Sequence, residues 1–261
     1  MIRVMILWGL GFNCEEETSA AYQLAGATIT RVHVNELFKD AISIHDFHIV
    51  HFPGGFSFGD HLGAGRVLAN RIRFKHTRSG QSLREELLRF TQNGGFIFGI
   101  CNGFQILLAL DLLPGNQQNT EPHRVALVAN ASGQFQDEWV RCRMNQASPL
   151  AQLWPDEWID LPIRHGEGRL LVTDEAAELE LSTKNLITMS YADEEGKPYN
   201  PNGSFQSCAA LCDPSGRILG MMPHPEAFLS AYNHPRWPHL PARDKGQGLL
   251  FFENLVKYVG D

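Results

Sequence analysis

Several features that would mark common protein classes are scarce or missing in this 261-residue sequence. The five cysteines (Cys14, Cys101, Cys142, Cys208 and Cys212) are an odd, scattered set with no C-x-x-C pair. That disfavours both a disulfide framework and a zinc site, and suits a reducing compartment. There is no cluster of Lys and Arg, and the formal charge is −7, so no nucleic-acid footprint is expected. No apolar stretch is long enough to span a bilayer. The apolar opening from Met1 to Leu10 is short, is broken by Gly9 and Gly11, and runs at once into Glu15, Glu16 and Glu17. It also lacks the small-residue cleavage site of a signal peptide. A cytoplasmic protein is the expectation. The glycine-rich run Phe52 to Gly65 holds no Lys and no Gly-Lys-Ser/Thr ending, which discounts a phosphate cradle. No internal repeat or low-complexity segment is present.

What is present is length for a sizeable core in one large domain, and ordinary hydrophobic and charged fractions. Apolar runs at Val4–Trp8, Thr28–Val34, Phe47–Phe52 and Phe96–Ile100 predict strands. Helices are expected at Glu15–Leu24, Leu62–Phe74, Ser82–Phe90 and Phe104–Leu113. Strands alternating with helices imply βαβ units: an α/β, flavodoxin-like open sheet, mostly parallel, with helices on both faces. Beyond Gly115 the texture changes to an antiparallel extension. Val125–Ala129 and Glu138–Met144 are expected to pair across the turn Asn130–Asp137. Strands follow at Arg169–Thr173, Gln206–Cys212 and Arg217–Met222, then a last helix at Gly248–Tyr258. Trp237, Pro238 and Pro241 mark an irregular stretch before that helix.

Chemistry concentrates where the fourth strand meets its helix. Gly99 and Gly103 flank Cys101 at i−2 and i+2, the spacing of a nucleophile elbow with sulfur in place of oxygen. The glycines leave room for a strained turn, and the N-terminus of the following helix favours a thiolate. A small packing cysteine fits the same residues. A cysteine nucleophile needs a base, and the base an orienter. Met222-Pro223-His224-Pro225-Glu226 offers both, because the second proline biases His224 to an extended chain in which residues i and i+2 point the same way. Glu226 would then fix the imidazole tautomer; a stiff surface turn is the plain alternative. Gly54, Gly55 and the amide of Asn102 can supply the N–H groups of an oxyanion hole. His165, Gly166 and Glu167 could line the same cleft or form a polar turn.

Phe-Pro-Gly-Gly-Phe-Ser-Phe-Gly-Asp (52–60), Gly-Ile-Cys-Asn-Gly-Phe-Gln (99–105), Leu-Leu-Pro-Gly (112–115), His-Gly-Glu-Gly (165–168), Asn-Pro-Asn-Gly-Ser (200–204) and Gly-Met-Met-Pro-His-Pro-Glu (220–226) occur in that order. Together they resemble the glutaminase (glutamine amidotransferase) subunits of phosphoribosylformylglycinamidine synthase, class I (triad) enzymes of purine biosynthesis. Gly11-Phe12-Asn13-Cys14 is similar to that family's first strand and loop. The resemblance runs from about residue 3 to 226 and resumes at the last helix. It implies a single amidotransferase domain over 1–261 in which Cys101 attacks the side-chain amide of L-glutamine. His224 would then serve as acid and base with Glu226 as its orienter, and Gly55 and Asn102 as oxyanion hole. Gln105 and Arg164 to Glu167 would grip the amino-acid end of glutamine. It further implies no metal or cofactor in this chain. ATP and Mg are expected on a large synthetase partner, which takes the ammonia and is joined by a small bridging subunit. Two departures stand out: Ala227 where the family often has Arg, and an insertion at about 228–247. The alternatives are a triad amidotransferase or γ-glutamyl hydrolase with another acceptor or substrate, and a catalytically silent scaffold.

Overall fold

The central sheet is built from strands apolar on both faces, because helices cover both. The computed structural model describes residues 1–39, 41–77, 80–115, 124–154, 156–240 and 244–261. Its first half contains β1 (Arg3–Trp8), α1 (Glu15–Leu24), β2 (Thr28–His33), α2 (Val34–Phe38), β3 (Ile49–Phe52), α3 (Arg66–Phe74), α4 (Leu83–Gln92), β4 (Phe96–Ile100) and α5 (Asn102–Ala109). The second half adds β5 (Val125–Val128), β6 (Gln136–Met144), β7 (Trp158–His165), β8 (Arg169–Val172), α6 (Glu175–Thr183), β9 (Ile187–Ala192), β10 (Cys208–Cys212), β11 (Ile218–Met221) and α7 (Gln247–Gly260).

Nine strands form one sheet in the order β2-β1-β3-β4-β11-β10-β9-β6-β7. From β2 to β11 neighbours are parallel, and from β11 to β7 they are antiparallel. The α/β fold with an antiparallel extension is therefore as the sequence predicts. Every residue of β3, β4, β10 and β11 is buried, as two-sided coverage requires. Adjacent residues of β4 show the two layers. The Phe98 ring packs on Phe251 and Phe252 of α7, whereas a Cβ on Gly99 would lie 2.7 Å from Leu107 of α5.

The differences from expectation are local. The alternating pattern extends the second strand through Val34, but it stops at His33. The His33 ring accepts from the Asn35 N–H while Glu36 accepts from the His33 N–H, a capping arrangement that starts α2 instead. The buried helix after Cys101 begins at Asn102 and ends at Ala109 rather than running to Leu113. Arg73 donates to the Ala109 carbonyl and Arg84 to that of Leu110, so the last carbonyls are satisfied from outside the helix. The expected β5–β6 hairpin does not form. β5 pairs with β8 in a separate two-stranded ribbon, and β6 lies between β9 and β7. Asn130, in the intervening turn, is committed elsewhere: its N–H donates to Gly166 and its side chain to His165. The 228–247 insertion carries short 3₁₀ turns at Ala231–Asn233 and Trp237–His239; Pro241 lies outside the described residues. A cavity of about 420 Å³ lies under this insertion, lined by Trp158, Phe228 and His234 among others. None of the residues singled out above for chemistry lines it.

Candidate active site

Cys101 joins β4 to α5 with φ +50°, a left-handed conformation that a side-chain-bearing residue seldom adopts. Its N–H is held by the Met221 carbonyl at 2.7 Å. The flanking glycines are needed for close approach, since neither has a positive φ. A Cβ on Gly103 would stand 1.9 Å from the Phe52 carbonyl oxygen, and one on Gly99 2.6 Å from the Gly103 carbonyl carbon. Because backbone, not a flexible side chain, meets the new atom, Gly103→Ala should cost roughly 3 kcal/mol or more. At roughly 2–4 °C per kcal/mol for a chain of this size, the melting temperature should fall by roughly 6–12 °C. A melting curve that overlays the wild type would show that α5 can yield there.

His224 follows β11, and its N–H donates to the Pro162 carbonyl of β7. Its Nδ1 lies 2.6 Å from Glu226 Oε1, and both side chains are buried. The pairing comes from a different backbone than the extended one expected: Pro225 opens a 3₁₀ turn, Pro225–Ala227, that folds Glu226 back under the ring. α7 closes over this turn, and a Cβ on Gly248 would meet the Pro225 carbonyl at 1.9 Å. Burial alone would push the imidazole down. The Glu226 charge, then the thiols of Cys101 and Cys14, and the Glu226 hydrogen bond outweigh it and hold His224 well above the ordinary histidine range. Its Nε2 is buried and makes no directed hydrogen bond among the described residues.

The candidate oxyanion groups belong to the loop after β3. Gly55 has φ +140° and lies against residues 11–13, where any Cβ would strike backbone. Gly11 accepts from Phe56 N–H and Gly54 from Asn13 N–H, which fixes the loop while the Gly55 N–H donates to no group among the described residues. The N–H of Asn102, in the first turn of α5, is likewise unengaged there. The Asn102 side chain ties the two together, accepting from Ser57 N–H at 3.1 Å and donating to Gln105 at 2.9 Å. Gly54 carries no Cβ where one would lie 2.8 Å from the His224 ring.

The 164–168 segment closes the other side. The Arg164 carbonyl accepts from the Cys101 thiol at 3.5 Å, whereas its guanidinium points outward, 3.8 Å from Asp137. Gln105 donates to the Glu167 carbonyl at 2.6 Å, and the Glu167 carboxylate accepts from Ala64 N–H. Both ends of the Gln105 amide are thus engaged within the protein, and Glu167 latches the 60–65 loop. Gly166 contributes its carbonyl to Asn130.

His165 is buried and its tautomer follows from its partner. Asn130 donates through Nδ2 to the Gln134 and His165 carbonyls and accepts at Oδ1 from Gly168 N–H. The His165 Nδ1 facing that same oxygen at 3.0 Å must therefore carry the proton. Burial first, then the nearby His224, pushes His165 down to about 4, so it is neutral at physiological pH.

Residues the sequence reading leaves out support this wall. Asn202 and Ser204 both donate to the Gly168 carbonyl, and Ser204 accepts from Leu170 N–H. Their signal is the Asn-Pro-Asn-Gly-Ser run, which enters only as one motif of the family resemblance, with no site role given to its residues. Asn130 has none, and Cys14 has only its place in the Gly11-Phe12-Asn13-Cys14 resemblance; both act across more than thirty residues of chain. Cys14, at the start of α1, has its Sγ within 4.8 Å of ligand atoms of His224 and Glu226.

The sequence matches the family model described as a CobB/CobQ-like glutamine amidotransferase domain over residues 1–259. It is 40% identical over 263 residues to phosphoribosylformylglycinamidine synthase subunit PurQ of Dehalococcoides mccartyi, covering 99% of this chain and 98% of that one. The subunit of the same name from Methanococcus maripaludis strain C7 is 38% identical over 272 residues, covering 98% and 97%. Among solved structures, a chain of PurLQS from Thermotoga maritima superposes with a TM-score of 0.73 at 26% identity, with 99% of each chain covered. The glutaminase domain of Trypanosoma brucei CTPS shares the fold, with a TM-score of 0.56 at 15% identity over 99% of this chain and 94% of that one.

Proposed function

The chain belongs to the CobB/CobQ-like glutamine amidotransferase family, and from that premise we propose that it is the glutaminase subunit of phosphoribosylformylglycinamidine synthase. It hydrolyses L-glutamine to glutamate and ammonia and delivers the ammonia to the synthetase that converts formylglycinamide ribonucleotide to the amidine in purine biosynthesis. The observation that carries the chemistry is the buried His224–Glu226 pair beside a cysteine held at a strained strand-to-helix turn.

The Cys101 sulfur attacks the side-chain amide carbon of glutamine as its proton passes to His224 Nε2. The carbonyl oxygen takes up negative charge, and the N–H groups of Gly55 and Asn102, which donate to no group among the described residues, receive it. The tetrahedral centre collapses, the C–N bond breaks, and His224 returns the proton to the departing nitrogen, giving ammonia and a γ-glutamyl thioester. Water then attacks the thioester with His224 as base, and glutamate leaves as the thiol is restored. Glu226 holds the Nδ1 proton and stabilises the imidazolium in both halves. The Arg164 to Glu167 wall and Gln105 shape the site for the amino-acid end of glutamine.

The chain needs no cofactor for these steps. ATP and Mg belong to the large synthetase subunit, and a small bridging subunit completes the complex. No helix among the described residues is long and apolar enough to cross a membrane, and we place the protein in the cytoplasm. Residues 1–261 are read as one amidotransferase domain, with 228–247 as a loop carried on it. Glutamate release by the isolated chain should be slow and rise on adding the synthetase and bridging subunit, because a partner commonly completes closure of such a site. Rates that do not change across that addition would remove the coupling from this reading.

A further inference from the structure

The hydrolysis gives no role to the Cys14 thiol. This side chain is partly exposed at the start of α1, and its Sγ, one ring nitrogen of His224 and one carboxylate oxygen of Glu226 lie within 4.8 Å of one another. Glu226 Oε2 is buried with no hydrogen-bond partner among the described residues, while Oε1 is held by His224 Nδ1. Gly54 keeps the space open, since a Cβ there would stand 3.0 Å from the Cys14 sulfur and 2.8 Å from the His224 ring. One thiol, one imidazole and one carboxylate make a mixed S, N, O donor set suited to a borderline-soft divalent cation. Bonds of about 2.0–2.3 Å to a tetrahedral zinc put its ligand atoms roughly 3.3–3.8 Å apart, so the ion would part His224 Nδ1 from Glu226 Oε1, now 2.6 Å apart, and draw the Cys14 sulfur in. The scattered cysteines argue against zinc ligands from neighbouring residues, but here the fold gathers them from positions 14, 224 and 226.

We propose that Cys14, His224 and Glu226 form an inhibitory site for a zinc-type divalent cation, which stops glutamine hydrolysis by taking the imidazole away from Cys101. Three protein ligands leave a fourth position for water. Binding releases the Cys14 proton to solvent and changes no oxidation state. Cys142, Cys208 and Cys212 are buried, whereas Cys14 is partly exposed. The inhibition rests on the glutaminase reading, whereas the binding does not.

The test adds zinc sulfate to the reduced, metal-free full chain in competition with a chromophoric chelator, alongside a glutamate-release assay. Wild type should take up one zinc per chain, lose activity in step with uptake, and recover when chelator is added in excess. Cys14→Ser and Cys14→Ala should each weaken binding by about tenfold or more, with the inhibitory concentration rising by the same factor relative to each variant's own metal-free rate. Cys101→Ser should still bind one zinc. Undiminished binding by both Cys14 variants, or loss of the ion in Cys101→Ser, would overturn the site and place zinc on the nucleophile. If the metal-free chain and its complex release no glutamate, the glutaminase reading fails while the chelator competition still decides the site.

Discussion

Cys101→Ala should abolish glutamate release, by roughly 10⁴-fold or more, because it removes the sulfur on which the thioester forms. The same substitution should leave ammonia-dependent synthesis by the assembled complex near its wild-type rate, since the synthetase then needs only a docked partner and free ammonia. The variant should also fold. Its side chain is small, alanine loses only sulfur, and the strained φ of +50° is fixed by Gly99, Gly103 and the Met221 carbonyl rather than by the thiol. Comparing glutamine- with ammonia-dependent product formation separates chemistry from assembly. Persistent glutamate release at the wild-type rate would sink the nucleophile assignment, and loss of both activities would mean that Cys101 supports the complex itself.

The next largest effect is expected from Glu226→Gln. The amide can still accept from His224 Nδ1 through its oxygen, which keeps the ring in place, but it cannot stabilise the imidazolium. Glutamate release should fall by about 10²- to 10⁴-fold. The direction of the accompanying titration shift follows from the balance at the imidazole. Burial favours the neutral ring, and the Glu226 charge is the largest of the effects opposing it. Without that charge burial regains ground, and the His224 titration should move to lower pH, visible in the Cε1–H resonance. A titration that stays where it is in wild type would show that Glu226 is not what holds the imidazole up.

Much of this architecture could be read from residue order, for identifiable reasons. Buried parallel strands are continuous apolar runs, so β1, β3 and β4 announce themselves, and the glycines around Cys101 mark a turn too tight for any side chain. The second half was harder. β7 alternates Ile159, Leu161 and Ile163 with Asp160, Pro162 and Arg164. A proline inside the run speaks against a strand except at a sheet edge, which is where β7 lies, and β9 is interrupted by Ser190. The β5–β6 hairpin was plausible locally and wrong because Asn130 bonds to the 165–168 turn instead. Site residues legible in sequence were those whose backbone is special: Gly55, Cys101, and the prolines around His224. Those that act by reaching across the fold, Asn130 and Cys14, leave no local trace of that reach.

The seating of α7 on the Pro225–Ala227 turn also has a consequence in time. During synthesis the chain leaves the ribosome from its N-terminus, so β4 and its cysteine emerge well before His224, and His224 before the helix that clamps it. For most of translation the thiol has no base, and for the last part it has one that is not yet seated. Ammonia release therefore waits on the final helix, which also brings the Phe251 and Phe252 rings that cover Phe98 of β4.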